Sequence, residues 1–375
     1  MTQKRLIIDD AIPFANAIFG HLGEIRLMPG RDIDAESVKH ADALIVRSRT
    51  QVNQNLLQDS SVKFVGSTVV GLDHIDQAWL SQQGIHFYSA QGCNANSVAE
   101  YIISGLLQLA EDYQFDLRQQ TLGIIGVGHV GRLVQEKAEA LGIHCLINDP
   151  PRAQNEGQTG FTELNELLTQ ADIITVHTPL TQDGAYPTVH LLNRQNLRQL
   201  KSDAIIINAA RGGIIDEQAW IDTPTRANLI DCWQDEPYIN PALYQKADYA
   251  TPHIAGHSLE AKINGSTMVY QQLCQFWDIE PQDQWQSHLP PAPAPLKVSD
   301  TNNWQNDLWQ IVRQAYNLTE DDKAIRSEQI EQVHKKFEFY RRHYPVRREW
   351  RFHRVAKTGS IALNQSLQAL GFMLD

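Results

Sequence analysis

The strongest constraint on the fold is a series of short apolar runs that do not alternate with polar residues. "RLIID" (5–9), "ADALIVRS" (41–48), "VKFVGS" (62–67) and "GIHFYSA" (84–90) form one set. "TLGIIGVG", "IHCLIND", "ADIITVHT", "AIIINAA", "ANLIDCW" and "ADYATPHIA" form a second, which starts near residue 121. A strand with one face in water alternates. A continuous run belongs to a strand buried on both faces, as in a parallel sheet covered by helices. The stretches between, such as 13–22 and 74–83, have helical length and spacing. Repeated strand–helix units predict an α/β fold, here two doubly wound, Rossmann-like domains with parallel sheets in tandem. The 375-residue length agrees, since it exceeds what one core encloses.

Residues 97–118 read as a helix linking the two halves, with Ser97 and Glu100 as its capping box. Another helix covers 258–277. The run "HLPPAPAPL" (288–296) follows and cannot continue a helix, so it predicts an extended linker. The rest is charged and aromatic, with helices expected at 302–317 and 327–343 and a strand at 349–355, a small C-terminal α+β piece. The net charge of -12 argues against nucleic acid, which requires a basic surface. No run is apolar for the roughly 20 residues that span a membrane, and "MTQKRLIIDD" reaches acidic residues after three apolar ones, unlike a signal peptide. Cys93, Cys145, Cys232 and Cys274 lie far apart with no CxxC pair, which predicts reduced thiols and a cytoplasmic protein.

Gly126-x-Gly128-x-x-Gly131 follows an apolar strand and opens an amphipathic helix that returns to a strand ending at Asp149. In that setting the first glycine makes the tight turn, the second admits a pyrophosphate and the third allows close helix–strand packing. The helix beginning at His129 and Val130 offers amide donors and its dipole to phosphates. Asp149 accepts hydrogen bonds from a ribose and repels a 2′-phosphate, so NAD is expected over NADP, with Arg152 nearby as the opposing feature.

Three further strands carry chemistry at their ends: Arg211 in "NAARGG", Glu236 in "DCWQDEP" and His253 in "TPHIAGH". In open α/β sheets, ligands bind beyond the carboxyl ends of strands. Removing hydride from a secondary alcohol requires a base for the hydroxyl proton, and histidine suits that task. A carboxylate would orient the ring, Asp235 and Glu236 being the two candidates. An arginine would hold a substrate carboxylate through paired hydrogen bonds. The glycines after Arg211 are expected to let substrate and nicotinamide approach. His253 and His257 stand four apart, but Pro252 and Gly256 argue against a helix and no third ligand is evident, so no metal is expected.

The ordered set "GIIGVGHVG", "HTPLT", "INAARGGIIDEQAW", "DCWQDEP" and "TPHIAG", with "GLDHID" and "NANSVAEY" before it, resembles the D-2-hydroxyacid dehydrogenase family over roughly residues 1–280. The resemblance implies an NAD-dependent oxidation with Arg211, Glu236 and His253 in the catalytic positions; its E-P pair favours Glu236 over Asp235. Thr178, Ala209, Ala210, Asp231 and Gly256 would line the cofactor with the glycine turn and Asp149, Asp231 meeting the nicotinamide amide. It also implies a flavodoxin-like substrate-binding domain of residues 1–96 and 258–285, an NAD-binding Rossmann domain of 97–257, a linker of 286–296 and a C-terminal domain of 297–375 that forms a homodimer.

Within the family, "MPGRDI", "ALIVRSRTQVN", "QGCNANSVAEY", "NDPPR" and "RREW" resemble members that act on a phosphorylated four-carbon hydroxy acid. A second anion site is then required. Arg47 and Ser48, ending a strand, are its first candidates, and Arg347 or Arg348 in the C-terminal basic cluster the second. Val69 stands where a threonine is usual, so Ser67 or Thr68 takes over or the contact is lost. His257 replaces a usual tyrosine and keeps the capacity to bond substrate. Two alternatives stay open: another 2-hydroxyacid dehydrogenase such as one for 3-phosphoglycerate, and a non-catalytic NAD-sensing protein.

Overall fold

The computed structural model describes residues 3–298 and 301–375. Two compact units emerge: one of residues 1–94 and 258–291, the other of residues 95–257 and 292–375. Strands of the first are β1 (Arg5–Asp9), β2 (Glu24–Met28), β3 (Ala43–Val46), β4 (Phe64–Ser67) and β5 (His86–Ser89), forming a parallel sheet in the order β2-β1-β3-β4-β5. That order is the flavodoxin-like one. β3 and β4 are buried at every position, which is why their runs are continuous rather than alternating.

The second unit holds β6 (Thr121–Ile125), β7 (His144–Asn148), β8 (Ile173–Val176), β9 (Ile205–Asn208), β10 (Ala227–Ile230) and β11 (Tyr249–Ala250), all parallel in the order β11-β10-β9-β8-β6-β7. The order reverses at β6, the strand that precedes the glycine turn. A helix over Ala95–Tyr113 is buried along almost its whole length. Its start differs from the expected capping box. It begins at Ala95, the Ser97 hydroxyl donates to the Ala255 carbonyl (3.1 Å), and Glu100 accepts from Asn96 (2.9 Å) and the Trp350 amide (3.0 Å). Ser97 to Ala255 and Glu100 to Trp350 are bonds to residues remote in sequence, which a local rule does not see.

The C-terminal segment packs into the same unit as the second sheet. Its helices cover Trp304–Ala315, Leu318–Ile325, Ile330–Arg342 and Ile361–Leu370. The expected strand at 349–355 is confined to β12 (Arg354–Val355), paired with β13 (Met373–Leu374). Leu308, Trp309, Val312 and Trp350 share one core with Tyr101 and Leu106, while Ile325, Val333 and Phe337 join Ile230, Trp233 and Ile239 in another. Asp322 accepts the Ala250 amide (2.7 Å) and Arg326 donates to the Ala247 and Asp248 carbonyls (2.7 and 2.9 Å). The edge at β11 is thereby covered, as exposed strand edges require.

Candidate active site

At the end of β6 the three glycines have three separate causes. Gly126 has φ +86°, and a Cβ there would lie 2.8 Å from the Thr178 side chain. At Gly131 a Cβ would lie 2.0 Å from the Gly126 carbonyl oxygen, so only glycine lets the helix His129–Ala140 meet the turn. Gly128 has nothing within 4 Å of where its Cβ would be, and as N-cap it leaves the helix without a side-chain cap. Space without a side chain, beside uncapped amides, fits a pyrophosphate. The Thr178 methyl group packs against the same turn, and its Oγ1 is buried with no hydrogen-bond partner among the described residues.

Asp149 accepts the amides of Val127 (2.8 Å) and Arg152 (3.1 Å), one on each oxygen. The second lone pair of each oxygen remains for ribose hydroxyls. Arg152 is spent elsewhere: its guanidinium pairs with Glu156 (2.7 Å) and donates to the Val127 carbonyl (2.7 Å). It is thus neutralised as a 2′-phosphate partner, which removes the one feature that favoured NADP.

The other sheet ends carry the chemistry. β9 closes with buried Asn208, whose side chain shapes the turn: Nδ2 donates to the carbonyls of Arg211 (3.0 Å) and Cys232 (3.2 Å), and Oδ1 accepts the Ala210 amide (3.1 Å). Arg211 is half-buried, with Nη1 donating to the Ala210 carbonyl (2.8 Å). The glycine after it serves a purpose other than the expected one. A Cβ on Gly212 would lie 2.0 Å from the Trp233 carbonyl oxygen, so Gly212 lets the Arg211 turn press against the segment leading to Glu236.

Beyond β10, Asp231 is fully buried. Its carboxylate accepts Thr251 Oγ1 (2.6 Å) and the amides of Ile254 (2.8 Å) and Ala255 (3.0 Å), and its carbonyl accepts the His253 amide (2.8 Å). Asp231 thereby anchors the turn that carries His253. His253 itself holds φ +55°, a region a side chain seldom adopts unless surroundings enforce it. Its Nδ1 faces Glu236 Oε2 at 2.8 Å and Oε1 at 3.1 Å. Burial alone would raise Glu236, but His253, the Arg341 guanidinium and the Trp233 amide together hold its carboxyl below the usual range. An ionised carboxylate only accepts, so the Nδ1 carries the proton and the Nε2 keeps its lone pair. The His253 side chain is 28% exposed. Asp235, the other candidate, makes no such bond among the described residues.

Cys232, Glu236 and His253 offer ligand atoms within 4.8 Å of one another. Burial, then the charges of Asp231 and Glu236, push the Cys232 thiol well above its ordinary range. The Nδ1 is committed to Glu236.

In the first unit, Arg47 is half-buried and donates to the Ala11 carbonyl (3.0 Å), and Ser48 is exposed. Ser67 and Thr68 are both buried, and their hydroxyls donate to the carbonyls of Val69 (3.4 Å) and Val46 (3.3 Å). Val69 is half-buried. In the second unit His257 lies edge-on to Tyr344, ring centroids 5.7 Å apart. Arg347 and Arg348, the other phosphate candidates, are both buried, and Arg347 Nε and Nη1 have no hydrogen-bond partner among the described residues. Arg347 is buried, donates to Ser97 and the Ala255 carbonyl, and stacks on Tyr316; Arg348 is buried against Phe352. The arginine that does reach the site is Arg341, whose Nε donates to the His253 carbonyl (3.2 Å). No local signal distinguishes it from its basic neighbours.

Residues 98–255 match the family model "D-isomer specific 2-hydroxyacid dehydrogenase, NAD binding domain", and residues 289–371 match a domain of unknown function (DUF3410). NAD+-bound 3-phosphoglycerate dehydrogenase of Entamoeba histolytica shares the fold with a TM-score of 0.63 at 24% identity, covering 74% of this chain and 96% of that one. NAD-dependent formate dehydrogenase of Staphylococcus aureus, in complex with NAD, does so at 0.59 and 22%, over 75% and 98%. The molecule is an NAD-dependent 2-hydroxyacid dehydrogenase. Erythronate-4-phosphate dehydrogenase of Hydrogenovibrio crunogenus is 57% identical over 375 residues, all of both chains. The protein so named in Escherichia coli is 42% identical over 351 residues, 92% of each. Within the 2-hydroxyacid dehydrogenases, the chain belongs to the erythronate-4-phosphate dehydrogenase family.

Proposed function

We propose that this protein oxidises 4-phospho-D-erythronate to 2-oxo-3-hydroxy-4-phosphobutanoate in pyridoxal phosphate biosynthesis. The observation that carries the chemistry is the partly exposed His253 ring with Nδ1 held by Glu236 at 2.8 Å, which leaves Nε2 for the role of base. When bound, NAD supplies the hydride acceptor. Arg211 holds the substrate carboxylate, which places C2 and its hydroxyl. His253 Nε2 takes the hydroxyl proton as the C2–H bond breaks with its electron pair and C2 becomes the carbonyl carbon. Glu236 stabilises the imidazolium that forms. Arg47 is the first unit's candidate for the phosphate, because the C-terminal arginines proposed for it are buried in structural contacts.

The protein acts as a homodimer through its C-terminal segment, where Phe339, Val346 and Ile361 expose apolar side chains that a partner would cover. Four free cysteines and no helix among the described residues long and apolar enough to cross a membrane are in keeping with a cytoplasmic enzyme. The test is a substrate panel of 4-phosphoerythronate, 3-phosphoglycerate, D-lactate and D-glycerate. NADH is followed by fluorescence, with a parallel set containing a 2-oxo acid to reoxidise held cofactor and product read by mass spectrometry. Preference for 4-phosphoerythronate is expected. Turnover of 3-phosphoglycerate alone would reassign the substrate, and silence on every acid with NAD bound would leave a binding protein.

A further inference from the structure

Every backbone group of the turn 253–255 has a partner. The amides go to Asp231, as described. The carbonyl of Ile254 accepts the His257 amide (2.8 Å). The other two carbonyls are served from the C-terminal segment, His253 by Arg341 Nε (3.2 Å) and Ala255 by Arg347, with Ser97 beside it. We propose that the C-terminal segment completes the active site of its own chain, with Arg341 as a positioning residue for the His253–Glu236 pair. The inference rests on the reading of His253 as the base.

The local sequence explains how Arg341 gets there. Val333, Phe337 and Arg341 stand at i, i+4 and i+8 of the helix Ile330–Arg342 and so share one face. Val333 and Phe337 are buried in the core that contains Trp233 and Ile239, which flank Glu236 in the chain. Packing those two side chains lays the last turn of the helix over the catalytic turn. The guanidinium then acts twice. It satisfies the carbonyl of a residue held at positive φ, and its charge faces the Glu236 carboxylate that orients the imidazole. Asp231 grips the turn from the amide side and the C-terminal arginines from the carbonyl side. Arg347 is a buried pin between Ser97 and Ala255, so its removal tests folding; Arg341 is half-buried and its removal tests the site.

Full-length Arg341→Gln, Arg341→Lys, Glu236→Gln and the double variant Arg341→Gln/Glu236→Gln are compared with wild type on the acid that the substrate panel identifies. Arg341→Gln is expected to lower kcat about 10- to 100-fold, the size of a small misplacement of a reacting group, with NAD affinity unchanged. Arg341→Lys, which keeps the charge, regains part of the loss. In the double variant the two losses do not multiply, because Arg341 acts through the pair that Glu236→Gln has already disabled. An Arg341→Gln kcat within about two-fold of wild type, or losses that multiply, overturns the proposal. His253→Asn separates the failures: if it abolishes turnover while Arg341→Gln does not, the positioning role alone falls. If His253→Asn stays active, the base assignment falls first.

Discussion

β1 and β6 hold the same place in their two sheets, second from one edge with the order reversing beside them, yet their ends do opposite things. β1 ends in buried Asp9, whose Oδ1 accepts the Ala11 amide (2.9 Å) and whose Oδ2 would lie 2.4 Å from a Cβ on Gly30. A carboxylate fills that point, which has neither room nor the right sign for a phosphate. β6 ends in glycines, open space and uncapped amides. Topology puts a crevice at both ends; the side chains at the turn decide which one takes a dinucleotide.

The contrast extends to the neighbouring strands. At the end of β4 the hydroxyls of Ser67 and Thr68 are spent on their own backbone. Past β9 to β11, Arg211 is half-buried and the His253 side chain is 28% exposed, so the proposed carboxylate and proton contacts fall to these two. Replacing Arg211 with Gln is therefore expected to cost about 100-fold or more in kcat/KM, since it unpairs a bound carboxylate. Arg47→Gln, which leaves the carboxylate contact in place, is expected to cost less and mainly in KM for the phosphorylated acid. Steady-state kinetics of the two variants decide between them, and equal losses would erase the distinction between the two units.

Glycine substitutions sharpen the same comparison at smaller scale. Gly131→Ala meets the Gly126 carbonyl at 2.0 Å and should destabilise by about 1–3 kcal/mol, as overpacking does, and weaken NAD binding with it. Gly20→Ala in the first unit meets nothing within 4 Å and should stay within about 0.5 kcal/mol. Thermal unfolding with and without NAD checks both. A Gly131→Ala protein that binds NAD as wild type does would show that the close helix–turn packing is dispensable.

A pH effect concerns the seam under the C-terminal segment. Burial, then the Glu349 charge, raise Glu100 to about 8 against the opposing pull of Lys137, while Asn96 bonds both carboxyls at 2.9 Å. Because the folded value is raised, the unfolded chain releases its proton first. The stabilisation is complete at pH below the ordinary carboxylate range and is lost as pH rises towards about 8. Glu100→Gln should flatten that decline, so that melting temperature falls less between acid and alkaline pH than in wild type. An unchanged slope would mean that Glu100 is ionised throughout.

How much of this was legible depended on whether the cause was local. The apolar runs became the strands because burial on both faces writes itself into every residue of a run. The glycine turn could be read because a tight turn and close helix–turn packing demand fixed spacings, as at Gly126 and Gly131. Arg211, Glu236 and His253 were candidates because each ends a strand, and the structure brings Glu236 to His253 at hydrogen-bond distance. What escaped was set by partners far away in sequence. Ser97 and Glu100 have a capping-box pattern but serve Ala255 and Trp350. The burial of Arg347 and the place of Arg341 beside the Trp233 core depend on packing that no local pattern records.

The most direct measurement of the central claim is single-turnover NADH formation by wild type and His253→Asn, with NAD affinity measured on the same preparations. The account predicts that both bind NAD equally while the variant forms NADH about 100- to 10,000-fold more slowly, the range for loss of a general base. NADH formation by His253→Asn at the wild-type rate would contradict it.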